Sequence, residues 1–290
     1  MKSSSPTSSS TAIPVEGAVS LPFEATGSSS GERIEGGRLK GVTMSQEQGG
    51  DGEVGKENVL AHLLSADGSR SRDEPEIATN IGIQLQHMGL NTWSSSVLRR
   101  LRDALGRLRP SNIIEVGAGI GHRSAWIYDL FQTDGFQPET YQLVEDGAKF
   151  AVILRRLMLR HDAEAYTTIV VGNVDALVAE TNAWQAASST GIEVGNPPLR
   201  SGADAIIVDG PSEIRSRYVE QVLPYMAPNG VLFTVEPDMP LGDVGEDDAD
   251  GLLLVDGFNH WIGLIEKSNT THHIAFMPLF GGTLVAMTRK

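Results

Sequence analysis

After Pro110 the chain settles into a rhythm that few folds can satisfy. Short apolar runs at Asn112 to Val116, Tyr141 to Val144, Thr167 to Val171, Ala205 to Val208 and Val231 to Val235 alternate with helical segments. The helices are expected at about His122 to Phe131, Gly147 to Arg160, Val174 to Ala183 and Glu213 to Met226. Strands that alternate with helices return by right-handed crossovers and so build a largely parallel sheet covered on both faces. The rhythm stops near the C-terminus, where a helix over Leu252 to Lys267 precedes two runs, His272 to Met277 and Thr283 to Met287, joined through Pro278 to Gly282. Runs so close together can pair only antiparallel. The expected fold is α/β: a doubly wound, mostly parallel, seven-stranded sheet that ends in an antiparallel hairpin.

Upstream of this region the sequence reads differently. From Met1 to Asp73 it is dominated by Ser, Gly, Thr, Pro and Glu, with scattered apolar residues. Such a stretch buries too little surface to offset the ordering of its backbone, so a disordered tail over 1–73 is expected, with at most a short helix around Asn58 to Leu64. The domain is expected over 74–290, opening with helices at Glu76 to Met88 and Trp93 to Leu108. In the second, Val97, Leu98, Leu101, Leu105 and Leu108 recur at helical spacing. Its arginines, Arg99, Arg100, Arg102, Arg107 and Arg109, read as a solvated face opposite that stripe.

Composition narrows the chemistry. The 290 residues carry 23 basic and 37 acidic side chains, a net charge of -14, which opposes the counterion-release attraction of nucleic acids. With no cysteine there is no thiolate nucleophile and no cysteine-ligated metal. No run is long and apolar enough to span a membrane, and the N-terminus lacks a secretory h-region, so a cytoplasmic protein is expected.

The most informative stretch is Ile113-Ile114-Glu115-Val116-Gly117-Ala118-Gly119-Ile120-Gly121-His122. A buried strand runs into closely spaced glycines and then a helix, which lets backbone approach a ligand at the carboxyl edge of the sheet. The spacing is G-x-G-x-G, not that of a dinucleotide pyrophosphate site, and Glu115 in the strand suits an ammonium better than a phosphate. The second strand ends in Glu145-Asp146, where an acidic residue grips ribose hydroxyls. The third is followed by Asn173 and Asp175, within reach of an adenine amino group, and the fourth ends at Asp209.

From about Trp93 to Lys290 the chain resembles class I S-adenosylmethionine-dependent methyltransferases, most of all the catechol-type small-molecule O-methyltransferases. The resemblance rests on IIEVGAGIGHRSAWI, YQLVED, ADAIIVDGP, YVEQVLPYMAPNGVLFT and IAFMPLFGGTLVAMTRK. It implies that Glu115, Gly117, Gly119 and Gly121 shape the pocket for the amino-acid end of S-adenosylmethionine, with Ser124 as a carboxylate contact. Glu145 would take the ribose, and Asn173 would stand near the adenine in place of the usual Asp. The implied partner is a small-molecule acceptor, with a homodimer left open and no nucleic acid or membrane expected.

Catechol-type enzymes deprotonate the acceptor beside a divalent metal held by two aspartates and an asparagine, next to a lysine. Asp209 matches the first ligand. Where the family has Asp-Asn, this chain has Val235-Glu236, followed by Asp238, so a Mg2+ site here would use Asp209, Glu236 and Asp238. The lysine position falls at or near Ser212. Without a metal, Asp209 would orient the cofactor or act as a base, and His122, beside the glycine loop, is the other candidate base. Eight acidic residues and no basic one lie between Glu236 and Asp256, a solvated loop or a selector of cationic acceptors. Two alternatives stay open: a cofactor-binding regulatory module without turnover, and an aminopropyltransferase-like enzyme.

Overall fold

Alternation of apolar side chains along each strand settles how the sheet is covered. In the computed structural model, which describes residues 56–191, 195–240, 242, 244–245 and 247–290, Ile113, Ala205 and Ile207 join one hydrophobic cluster while Ile114, Ile206 and Val208 join another on the opposite face. Successive strand residues point to opposite faces, so each strand feeds both layers. Of the tail expected over 1–73, residues 1–55 lie outside the described residues.

The elements run α1 (Lys56–Leu63), α2 (Glu76–His87), α3 (Ser95–Leu108), β1 (Asn112–Val116), α4 (His122–Asp134), β2 (Thr140–Glu145), α5 (Ala148–Arg160), β3 (Thr167–Val171) and α6 (Val174–Ser189). They continue with β4 (Ala203–Val208), α7 (Ser212–Val222), β5 (Met226–Val235), α8 (Ala249–Ser268), β6 (His272–Leu279) and β7 (Gly282–Arg289). The strand order is β3-β2-β1-β4-β5-β7-β6. β1 to β5 pair in parallel, and β7 pairs antiparallel with both β5 and β6. The last strand is therefore inserted inside the sheet and β6 forms the edge, where Pro278 can sit without breaking a central ladder. The turn is the pair Phe280-Gly281, tighter than expected.

Order begins before the expected Glu74. Leu60, Leu63 and Leu64 are buried, and α1 packs against α3 and β6. The α3 arginines, expected on a solvated face, hold this segment in place. Arg100 donates to the Leu64 carbonyl (2.6 Å), and Arg107 donates to the carbonyls of Leu63 (3.1 Å) and Ser65 (2.8 Å). These are the acceptors that a helix C-terminus leaves unpaired. Arg102 donates to the Ser71 carbonyl (2.8 Å) and lies over the Trp126 ring. Among the described residues no helix is long and apolar enough to cross a membrane.

Candidate active site

Between β1 and β4 the chain order reverses, and the carboxyl ends of these strands open onto a cleft, the usual ligand position in such sheets. The cleft has a volume of about 750 Å³. Its floor is the glycine loop and the Asp209-Gly210-Pro211 turn, and residues 89–93, between α2 and α3, form a wall.

Two of the glycines do different work. Gly117 has φ +70°, and a Cβ there would collide with the Asp209 carbonyl oxygen, so this position lets β1 and β4 close together. Gly119 has φ +59° and faces open space: a Cβ would meet nothing within 4 Å. Gly121 caps α4 against Leu157 and does not line the cleft.

Glu145 anchors the loop. One of its oxygens accepts the Gly119 amide (2.7 Å) and the other the Gly147 amide (2.9 Å), so the tip of β2 and the glycine loop are locked together. Burial raises its pKa, with these two amides opposing the shift.

Glu115 does not point at the cleft. It lies two residues after Ile113 and so shares that residue's face, beneath α4, where it is 0% exposed. There it accepts hydrogen bonds from Ser124 Oγ (3.1 Å) and Tyr141 Oη, and it pairs with Arg123 Nε (3.1 Å). Burial raises its pKa, although Arg123 opposes the shift. Ser124, expected as a carboxylate contact, is fully buried in this same network. Neither residue lines the cleft.

Arg123 was not singled out in the sequence, yet it links the floor. Its guanidinium donates to Asp209 Oδ2 (2.7 Å) and to the Gly117 carbonyl (2.7 Å), reaches Glu115, and lies 4.8 Å from the Trp93 ring centre. It is 3% exposed. A lone arginine in the apolar run His122-Arg123-Ser124-Ala125-Trp126 was the available signal, because a buried charge must find a carboxylate.

Arg215, from the first turn of α7, pairs with the other Asp209 oxygen (3.3 Å). It also donates to the carbonyls of Gly210 (2.8 Å from Nη2) and Val235 (3.2 Å). Burial alone would raise the Asp209 pKa, but Arg123 and Arg215 bring it below its ordinary value. A carboxylate so held is a poor proton acceptor, which corrects the expectation of Asp209 as a base.

The same pairing overturns the expected magnesium site. Both Asp209 oxygens are engaged by guanidinium groups. Asp238 is exposed and accepts from Ser212 Oγ (2.9 Å), and Glu236 does not line the cleft. Among the described residues no three His, Asp or Glu side chains gather as a metal-binding group.

His122 lines the cleft, but both its ring nitrogens are taken. Nδ1 bonds Thr92 Oγ1 (2.8 Å) and Nε2 bonds Glu74 (3.0 Å). Burial lowers its pKa, with Glu74 opposing. It ties the N-terminal helices to the glycine loop, and its expected role as base is not supported. Asn173 caps α6, accepting the Asp175 amide (2.9 Å), and lies outside the cleft lining.

No protein-family model and no curated protein matches the sequence. Solved structures do resemble it. The O-methyltransferase TomG of Streptomyces achromogenes, in complex with S-adenosylmethionine, is 14% identical, with a TM-score of 0.54 over 75% of this chain and 92% of that one. The Podospora anserina methyltransferase PaMTH1, bound to S-adenosylhomocysteine, is 13% identical, with a TM-score of 0.52 over 85% and 100% of the two chains. The Bacillus cereus O-methyltransferase, also in complex with S-adenosylhomocysteine, is 16% identical, with a TM-score of 0.50 over 81% and 97%. This chain therefore has the seven-stranded fold that these methyltransferases share.

Proposed function

We propose that this chain is an S-adenosylmethionine-dependent methyltransferase that acts on an oxygen of a small molecule. The observation that carries the reading is the junction of Gly119 and Glu145: an open glycine at the sheet's switch point, its amide held by an acidic residue at the tip of β2. Each Glu145 oxygen holds one amide and keeps lone-pair capacity for a ribose hydroxyl. The cofactor's ammonium would lie against Asp209 and the Gly117 carbonyl, and its carboxylate toward Arg123. Asn173 would approach the adenine edge. Glu115, Gly121 and Ser124 support this floor from beneath it.

Methyl transfer is an in-line displacement at a sulfonium carbon, so the protein's main contribution is to align acceptor and methyl group. The wall at residues 89–93 and the rim at Glu213 and Asp238 would enclose the acceptor.

Calorimetry with S-adenosylmethionine and S-adenosylhomocysteine tests the reading. Both should bind in the micromolar range, Gly119→Arg should abolish binding, and Glu145→Ala should weaken it by roughly tenfold or more, as for loss of a charge-assisted hydrogen bond. No heat with either compound at high protein concentration would refute it. A second reading, a cofactor-binding module without turnover, draws on the engagement of both Asp209 and His122. Tight cofactor binding with no methylation across a broad acceptor panel would favour it.

A further inference from the structure

An acceptor hydroxyl must lose its proton before or during attack on the methyl group, and the cleft offers few groups to take it. Among the described residues, the charged and titratable side chains on its lining are His122, Arg123, Asp209, Glu213, Arg215 and Asp238. His122 has no free ring nitrogen, and Asp209 is held by two guanidinium groups. Glu213 and Asp238 are the other carboxylates on this lining, and Asp238 is exposed and accepts a hydrogen bond from Ser212. Among the described residues Asp209, Glu236 and Asp238 do not gather as a metal-binding group, so a cation of the protein is the candidate for the charge beside the reacting oxygen.

Arg215 is placed to supply it. Its side chain is 12% exposed, and three contacts fix its plane: Asp209, the Gly210 carbonyl and the Val235 carbonyl. The Val235 bond uses one Nη1 hydrogen, and among the described residues no acceptor takes the other, on a side chain that lines the cleft. Arg123 relieves part of the Asp209 charge from the buried side, so Arg215 is not fully neutralised by its partner. Glu213 and Asp238 oppose an anion, but Asp238 is exposed and screened by water, whereas Arg215 acts at lower dielectric.

Resting on the methyltransferase reading, we propose that Arg215 receives the acceptor as a phenolate. The substrate class would then be phenols acidic enough to ionise near neutral pH, methylated without a divalent metal. The phenol proton leaves to water. A lone pair of the phenolate oxygen forms the new O–CH3 bond as the C–S bond breaks, its electron pair returning to sulfur to give S-adenosylhomocysteine. Guanidinium suits this role because it stabilises an oxyanion without exchanging a proton.

The test uses the full chain saturated with S-adenosylhomocysteine and 4-nitrophenol as probe, with phenolate absorbance followed across the probe's ionisation. Bound 4-nitrophenol should ionise about one pH unit below the free compound, a tenfold preference for the anion. With S-adenosylhomocysteine held at saturation for each variant, Arg215→Gln should remove the shift and Arg215→Lys should retain part of it. Initial methylation rates over ring-substituted phenols should follow the ionised fraction and be unchanged by a chelator. An unshifted or unbound phenol on an intact S-adenosylhomocysteine complex overturns this proposal alone, as does a shift that survives Arg215→Gln. If the unsubstituted chain fails to bind S-adenosylhomocysteine, the methyltransferase reading falls and this proposal falls with it.

Discussion

Two sets of arginines hold this molecule together in different ways. On α3, Arg100, Arg102 and Arg107 donate to backbone carbonyls and staple the N-terminal segment to the domain. At the cleft, Arg123 and Arg215 face carboxylates, and Asp209 is shared between them. A carbonyl that loses a partly buried arginine can turn to water. A buried carboxylate that loses its arginine keeps a charge with no compensation, so the second set should act as a unit and the first should not.

The largest expected effect tests that distinction directly. Arg123→Met should destabilise the fold by about 3–5 kcal/mol in denaturant unfolding, because Glu115 and Asp209 then lose their common partner. Adding Glu115→Gln should recover part of the loss, and strict additivity of the two substitutions would break the comparison. Arg107→Ala should cost less, about 1–2 kcal/mol, with faster amide exchange confined to α1. If Arg107→Ala matched Arg123→Met, the carbonyl staples would belong to the same class as the charged cluster.

The smallest effect concerns His122, which bridges the two regions. Its folded pKa lies below the ordinary value of about 6.5, chiefly because of burial, so the unfolded chain binds the proton first as pH falls. Stability should therefore decline as pH drops from about 6.5 toward the lowered folded value and level off beneath it. His122→Gln should flatten that slope, and an unchanged slope would remove His122 from the account.

Much of the fold was legible because strands announce themselves locally. β1 and β3 have the bounds that their apolar runs suggested, and the antiparallel ending followed from two runs too close for a crossover. β4 and β5 begin earlier than expected, at Ala203 and Met226, because these two residues pair with each other ahead of an irregularity, after which the register resumes at Ala205 and Val231, and Pro228, Asn229 and Gly230 interrupt the apolar signal in between. The start of the domain was missed for a related reason. Leu60, Leu63 and Leu64 are too few to form a stripe, and their burial depends on α3 and β6, which are distant in sequence.

The site divides along the same line. By itself the sequence determined the glycine loop, the acidic tip of β2 and the alternation that sets a cleft between β1 and β4, because backbone freedom and hydrophobic period are properties of neighbouring residues. Only the tertiary structure decided what each carboxylate faces. Glu115 turned inward because its strand position shares a face with Ile113, and Asp209 met an arginine 86 residues away because β1 lies beside β4 in the sheet. A charge's chemistry depends on its partner and its distance from water, and both are fixed by which elements pack together.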